Sequence, residues 1–125
     1  MDNFKKVNDT FGHSAGDRAL QNVCRVAQLS LRPTDLLGRF GGDEFVALLP
    51  ESTIKDAQHI AQRILTSVNE AEIAPGHPIH CSFGIAQLRS DQNFTELFNL
   101  ADAALYKAKQ KGRNTIVKAE HSNAA

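Results

Sequence analysis

The chain has 125 residues, enough for one hydrophobic core and too few for two domains. Apolar residues make up 42%, which excludes intrinsic disorder, and a formal net charge of zero argues against a broad electrostatic footprint for DNA, RNA or an anionic membrane. No apolar run approaches membrane-spanning length, and the opening MDNFKKVND is too polar for a signal peptide. Cys24 and Cys81 sit in apolar stretches without paired spacing and read as buried free thiols of a cytosolic domain.

The opening MDNFKKVNDTFGH reads as a polar, loop-like segment. A first helix is predicted from Ser14, where Ser14 and Asp17 resemble a capping box. Leu20, Val23, Cys24, Ala27 and Leu31 then follow helical spacing, and Pro33 stops the run. Leu36 to Phe40 and Phe45 to Leu49 read as paired strands around Gly41-Gly42. A second helix starts at Ser52 or Thr53, capped by Thr53 and Asp56, with Ile54, Ala57, Ile60, Ala61, Ile64 and Val68 on one face. Pro75-Gly76-His77-Pro78 is a predicted loop. Ile79 to Leu88 reads as a strand in which Gly84 marks a bulge or a close approach. Phe94 to Lys111 reads as a third helix, with Gly112 placed for its C′ position, and Thr115 to Val117 as a short last strand. This order predicts an α+β fold, an α/β sandwich whose helices cover a largely antiparallel sheet.

Four groups of residues carry possible chemistry, and each has a plain structural alternative. Asp43 and Glu44 on the glycine turn suit Mg²⁺, a hard cation that takes oxygen ligands, or a proton acceptor; the alternative is a solvated hairpin tip. Lys107, Lys109, Lys111 and Arg113 cluster at a helix end, where they either clamp phosphate oxygens or complement the helix dipole. Lys5, Asn8 and Asp17 offer a cation and two side chains suited to a purine edge; an Asx turn and a helix cap are the alternatives. Arg32 and Asp35 in RPTD form either a surface ion pair or a nucleotide-binding pair. The five histidines show no metal-ligand spacing.

Four of these stretches together resemble a GGDEF domain, the diguanylate cyclase family: DNFKKVNDTFGHSAGD at 2–17, RPTDLLGRFGGDEFVALLP at 32–50, SFGIA at 82–86 and ADAALYKAKQKGRN at 101–114. The resemblance spans almost the whole chain, with the signature intact. It implies a GGDEF domain over 1–118 and a flexible tail over 119–125, folded as an adenylate-cyclase-like, ferredoxin-like palm. It also implies that two such domains meet as an antiparallel homodimer and condense two GTP into cyclic di-GMP and two pyrophosphates, using Mg²⁺ or Mn²⁺. Asp43 resembles the metal ligand and candidate base, Glu44 an acid near the metal, and Lys5 the lysine that stabilises transition-state charge. Asn8 and Asp17 match the guanine-recognising pair, Lys109 and Arg113 the clamp on the outer phosphates, and Gly41 and Gly42 allow close backbone approach. Arg32, Asp35 and Arg63 match an inhibitory site for the product. His80 stands where the family often has a threonine and is expected near the sheet, outside the chemistry.

One departure bears on activity. The family pattern reads D-x-D-x-F-K, and this chain starts at its second position. The resemblance therefore implies that the first metal-binding Asp, its strand and the helix before it are missing, with Met1 at the position whose backbone carbonyl binds metal. The chain as given is expected to be weak or inactive alone, as the output part of a longer cytoplasmic or membrane-anchored protein with a sensory or regulatory region upstream. The competing expectation is a degenerate GGDEF module that binds GTP or cyclic di-GMP without turnover.

Overall fold

The structure, a computed structural model, describes residues 1–2, 4–71, 73–74 and 79–119. The predicted loop at Pro75 to Pro78 and the tail beyond Ala119 lie outside the described residues. Eight elements follow in order: α1 (Phe4–Phe11), α2 (His13–Ser30), β1 (Leu36–Gly41), β2 (Glu44–Leu48), α3 (Ile54–Glu70), β3 (Phe83–Ile85), α4 (Phe94–Gln110) and β4 (Ile116–Lys118).

The opening segment is helical, where the sequence reading expected a loop. Its polar residues hide a spacing of three and four between Phe4, Val7 and Phe11, which gives a helix an apolar edge. Val7 is completely buried on that edge, and the α1 helix packs against α2. Gly12 separates the two helices at φ 86°, a left-handed conformation that suits glycine. It also serves as the N-cap of α2, so the helix starts at His13 and Ser14 lies inside it. The expected capping box of Ser14 and Asp17 does not form, because Gly12 supplies the change of direction without a side-chain hydrogen bond.

The α3 cap forms as read from the sequence. Thr53 Oγ1 accepts from the Asp56 N–H at 3.2 Å, and the Asp56 carboxylate accepts from the Thr53 N–H at 3.0 Å. The main core joins Val7, Ala19, Val23 and Ala27 to Ile60, Ile64 and Val68 of α3, with Ile73, Ile79 and Cys81 beside them. Burial pushes the Cys81 thiol up to about 11, as expected for an inert free cysteine.

The expected strands pair, but not as one antiparallel sheet. Strands β1 and β2 form an antiparallel hairpin, with Leu36 opposite Leu48 and Gly41 opposite Glu44. Strands β3 and β4 form a separate parallel pair, Phe83 opposite Ile116. Parallel pairing follows from the connection, since α4 carries the chain across between them. The predicted Ile79–Leu88 strand narrows to three residues in β3, while His80 makes a single antiparallel bridge to Asp2. The first two residues run between the two pairs: the Met1 amino group donates to the Asp43 carbonyl at 3.0 Å, and the Asp2 N–H donates to the His80 carbonyl at 2.7 Å. An apolar cleft of about 600 Å³ lies there, walled by Leu37, Phe45, Phe83, Phe98 and Leu105.

Helix α4 completes the sandwich. Asn93 and Glu96 cap its start reciprocally, and Ala104 and Ala108 are buried on its inner side. It lies so close to β3 that a Cβ on Gly84 would stand 2.1 Å from the Ala101 carbonyl oxygen and 2.3 Å from the Leu105 nitrogen. Gly84 is thus the close-approach point foreseen from the sequence. At the other end Gly112, at φ 105°, takes the C′ position. Its N–H donates to the Lys109 carbonyl at 3.4 Å and the Arg113 N–H to the Ala108 carbonyl at 3.1 Å, the two bonds of a Schellman motif.

The close approach predicts a measurable penalty. Gly84→Ala should destabilise the fold by about 1–3 kcal/mol in urea unfolding, since backbone on both sides must move. Gly38→Ala, where a Cβ meets nothing within 4 Å, is the control and should change little. Equal midpoints for the two variants would contradict the packing described.

Candidate active site

Three separate parts of the chain converge at one end of the sandwich. The first is the hairpin tip. Gly41 and Gly42 turn the chain at φ 130° and 50°. The Arg39 guanidinium holds the turn by donating to the Gly42 carbonyl at 2.9 Å from Nε and 2.6 Å from Nη2. This leaves Asp43 half-buried and Glu44 exposed. The second is the chain start, whose Met1 nitrogen meets the Asp43 backbone. The third is the end of α4, where Lys109 Nζ lies 3.9 Å from Glu44 Oε1 and Arg113 Nε lies 3.8 Å from Asp2 Oδ1. Glu44, read from one motif, therefore stands beside Lys109, read from another, more than sixty residues away in the sequence.

Lys5 and Asn8 ride on α1, and Asp17 on α2. Lys5 and Asp17 are exposed. The Asn8 Oδ1 oxygen is buried and has no hydrogen-bond partner among the described residues, pressed to where a Cβ on Gly16 would stand 1.7 Å from it. An acceptor left without a donor in such a place is costly, which marks Asn8 as a residue with an unmet partner. Among the described residues, no hydrogen bond or ion pair joins Lys5, Asn8 or Asp17 to the hairpin acids or the α4 cations.

Arg32, Asp35 and Arg63 lie elsewhere. Strand β1 separates Asp35 from the tip by six residues, roughly 20 Å at about 3.3 Å each. Arg32 grips Asp35 with Nε and Nη2, the Nη2 contact at 2.8 Å, and also donates to the Pro50 carbonyl and to Ser52 Oγ. The Asp35 side chain is fully covered. The Arg32 hydrogen bonds hold the Asp35 carboxyl below the usual carboxylate range, and the same bonds raise Arg32. Arg63 donates to the Ser30 carbonyl at 2.6 Å. Arg32 and Arg63 border one shallow depression of about 450 Å³, with Leu31, Gln62 and Thr66.

Oxygen donors suited to a hard cation are carried by the tip in the Asp43 and Glu44 carboxylates, and the Met1 nitrogen bonds the Asp43 carbonyl beside them. Among the described residues no group of three or more His, Cys, Asp or Glu side chains converges. Two carboxylates fit Mg²⁺, which is commonly held by one or two of them together with substrate phosphates. Sequence reading missed Asp2 and Ser82. Ser82 Oγ donates to Asp2 Oδ2 at 2.8 Å, in a place that only the folded chain defines. His80 lies at the sheet as expected, its Nδ1 within 2.8 Å of Asn69 Oδ1.

The fold is shared with solved cyclase domains. The active GGEEF domain of a diguanylate cyclase from Vibrio cholerae is similar at a TM-score of 0.89 and 32% identity, covering 97% of this chain and 79% of that one. The GGDEF domain of DgcB from Caulobacter crescentus, solved in complex with c-di-GMP, is similar at a TM-score of 0.89 and 29% identity, covering 96% and 74%. The chain belongs to the GGDEF family: the model described as "Diguanylate cyclase, GGDEF domain" matches residues 1–115. A curated relative, the probable diguanylate cyclase DgcT of Escherichia coli K12, is 40% identical over 94% of this chain, and the chain spans 27% of its length. No helix among the described residues is long and apolar enough to cross a membrane.

The Arg32–Asp35 lock sets a pH dependence. A carboxyl lowered by folding adds stability above its unfolded value, about pH 4, and loses it as pH falls through the lower folded value. Asp56 acts in the same direction through the Thr53 N–H. Stability should therefore fall below about pH 4, and Asp35→Asn should flatten part of that fall while lowering stability at pH 7. Unchanged pH profiles of the thermal midpoint would refute the lock.

Proposed function

We propose that this domain condenses two GTP molecules into cyclic di-GMP and two pyrophosphates. The observation that carries the reading is the pairing of the acidic hairpin tip with the cationic end of α4. In this reading two copies face each other antiparallel. Each 3′-hydroxyl oxygen attacks the α-phosphorus of the opposite GTP, the bond from that phosphorus to the bridging oxygen breaks, and pyrophosphate leaves. The hydroxyl proton goes to Asp43 or to water beside it.

The remaining roles follow from chemistry and placement. Asn8 offers its unpartnered oxygen to a guanine N–H donor, with Asp17 on the neighbouring helix as its companion. Lys109 exchanges Glu44 for phosphate, and Arg113 brings its fork to the outer phosphates. Lys5 offsets charge developing at the reacting phosphorus. Gly41 and Gly42 keep the tip backbone open to the nucleotide. Mg²⁺ or Mn²⁺, held by Asp43 and the Met1 carbonyl with Glu44 nearby, would supply polarisation of the phosphoryl oxygens. Product binds at Arg32, Asp35 and Arg63 and holds the enzyme inactive. The domain works in the cytoplasm as the output of a longer chain with a regulatory region upstream. DgcB bound to c-di-GMP and the active Vibrio cholerae domain support the choice of nucleotide.

A second reading is nucleotide binding without turnover, because the buried Asn8 oxygen that lacks a donor among the described residues is a feature of recognition and does not by itself require chemistry. Production of cyclic di-GMP from GTP and Mg²⁺ separates the two. The domain should be active, and Asp43→Asn should lose about 10²-fold or more. GTP binding without turnover would select the binding module.

A further inference from the structure

Asp2 is a charged residue that is buried as a whole, at 4% exposure. A carboxylate so placed needs compensation, because removal from water disfavours its charged form. Its partners come from two distant parts of the chain. Ser82 Oγ donates to Asp2 Oδ2 at 2.8 Å, and the Asn114 N–H donates to the same oxygen at 3.2 Å. Ser82 Oγ also stands 3.1 Å from the Asn114 nitrogen, so the three groups form a closed triangle. On the other oxygen, Oδ1, Arg113 Nε makes an ion pair at 3.8 Å.

The turn that meets Asp2 has an unusual shape. After Gly112 at φ 105°, Arg113 and Asn114 follow at φ 65° and 50°. Left-handed backbone is uncommon for residues other than glycine, and two in succession need an outside hold. Asp2 supplies that hold from within the chain by accepting the Asn114 N–H at 3.2 Å. Its ion pair engages the Nε edge of Arg113 and leaves the four terminal N–H donors for another acceptor.

We propose that Asp2 is a positioning residue for the phosphate clamp: its buried carboxylate fixes the Arg113–Asn114 turn so that Arg113 presents its fork to the outer phosphates of the nucleotide. This rests on the reading of Arg113 given above. Asp2 itself touches no substrate. It also couples the α4 end to the residue beside Met1, so the clamp and the metal-bearing tip share one anchor.

The test compares GTP with GMP, which lacks the outer phosphates, by calorimetry in the presence of Mg²⁺. Asp2→Asn keeps the size and removes the charge. It should weaken GTP by about tenfold while GMP changes less than about twofold. Arg113→Ala should show the same selectivity, and the double variant should be no worse than Arg113→Ala alone. Ser82→Ala, an uncharged change, should weaken GTP in the same selective way and serves if Asp2→Asn fails to fold. Equal losses for GTP and GMP, or additive losses in the double variant, would overturn the proposal. An Arg113→Ala effect without an Asp2→Asn effect would overturn the role of Asp2 alone. No effect of Arg113→Ala would overturn the clamp reading and the proposal with it.

Discussion

The carboxylate of Asp2 is the interaction on which this arrangement of segments turns. It sits one residue from Met1, accepts hydrogen bonds from Ser82 and from the Asn114 backbone, and faces Arg113. Its own N–H reaches the His80 carbonyl, while the Met1 nitrogen reaches Asp43. Among the described residues strands β1–β2 and β3–β4 share no hydrogen-bonded ladder, and these first two residues bridge the two halves of the sandwich. Closeness between the hairpin tip and the end of α4 depends on that bridge and on the Gly84 contact, which sets how near α4 lies to β3.

Two ion pairs cross the site: Glu44 faces Lys109, and Asp2 faces Arg113. The two pairs differ in what they release. Glu44 and Lys109 are both partly exposed at 3.9 Å, so water screens the pair and exchange for a phosphate costs little. Asp2 is buried and hydrogen-bonded, so it stays while Arg113 remains open on its far side. Arg32 and Asp35, at the opposite end of the hairpin, are more tightly closed. Asp35 is fully covered there, and what stays accessible is one side of Arg32.

Much of the fold was legible because local signals agreed with the final packing. The Thr53–Asp56 cap, the α3 stripe, the glycine hairpin, the close approach at Gly84 and Gly112 at C′ all rest on short-range chemistry. Helix α1 was not legible: its three apolar residues are outnumbered by polar ones, and docking on α2 stabilises it. Ser14 was misread because a Ser-x-x-Asp pattern is also compatible with a helix interior. The strand from Ile79 was overextended because alternation shows which residues suit a strand, not how many find a partner. Of the site, the motifs gave Asp43, Glu44, Lys109 and Arg113, and folding brings the last two beside acids. Asp2 escaped notice because its partners lie 80 and 112 positions away.

The central claim is that the opening helix, the hairpin tip and the end of α4 form one nucleotide site. Amide NMR spectra recorded while GTP and Mg²⁺ are added to the ¹⁵N-labelled chain test it most directly. The account predicts that amides of Lys5 to Asn8, Gly42 to Glu44 and Lys109 to Asn114 shift together with one midpoint. Shifts confined to a single one of these segments, or to Ser30 through Asp35, would contradict it.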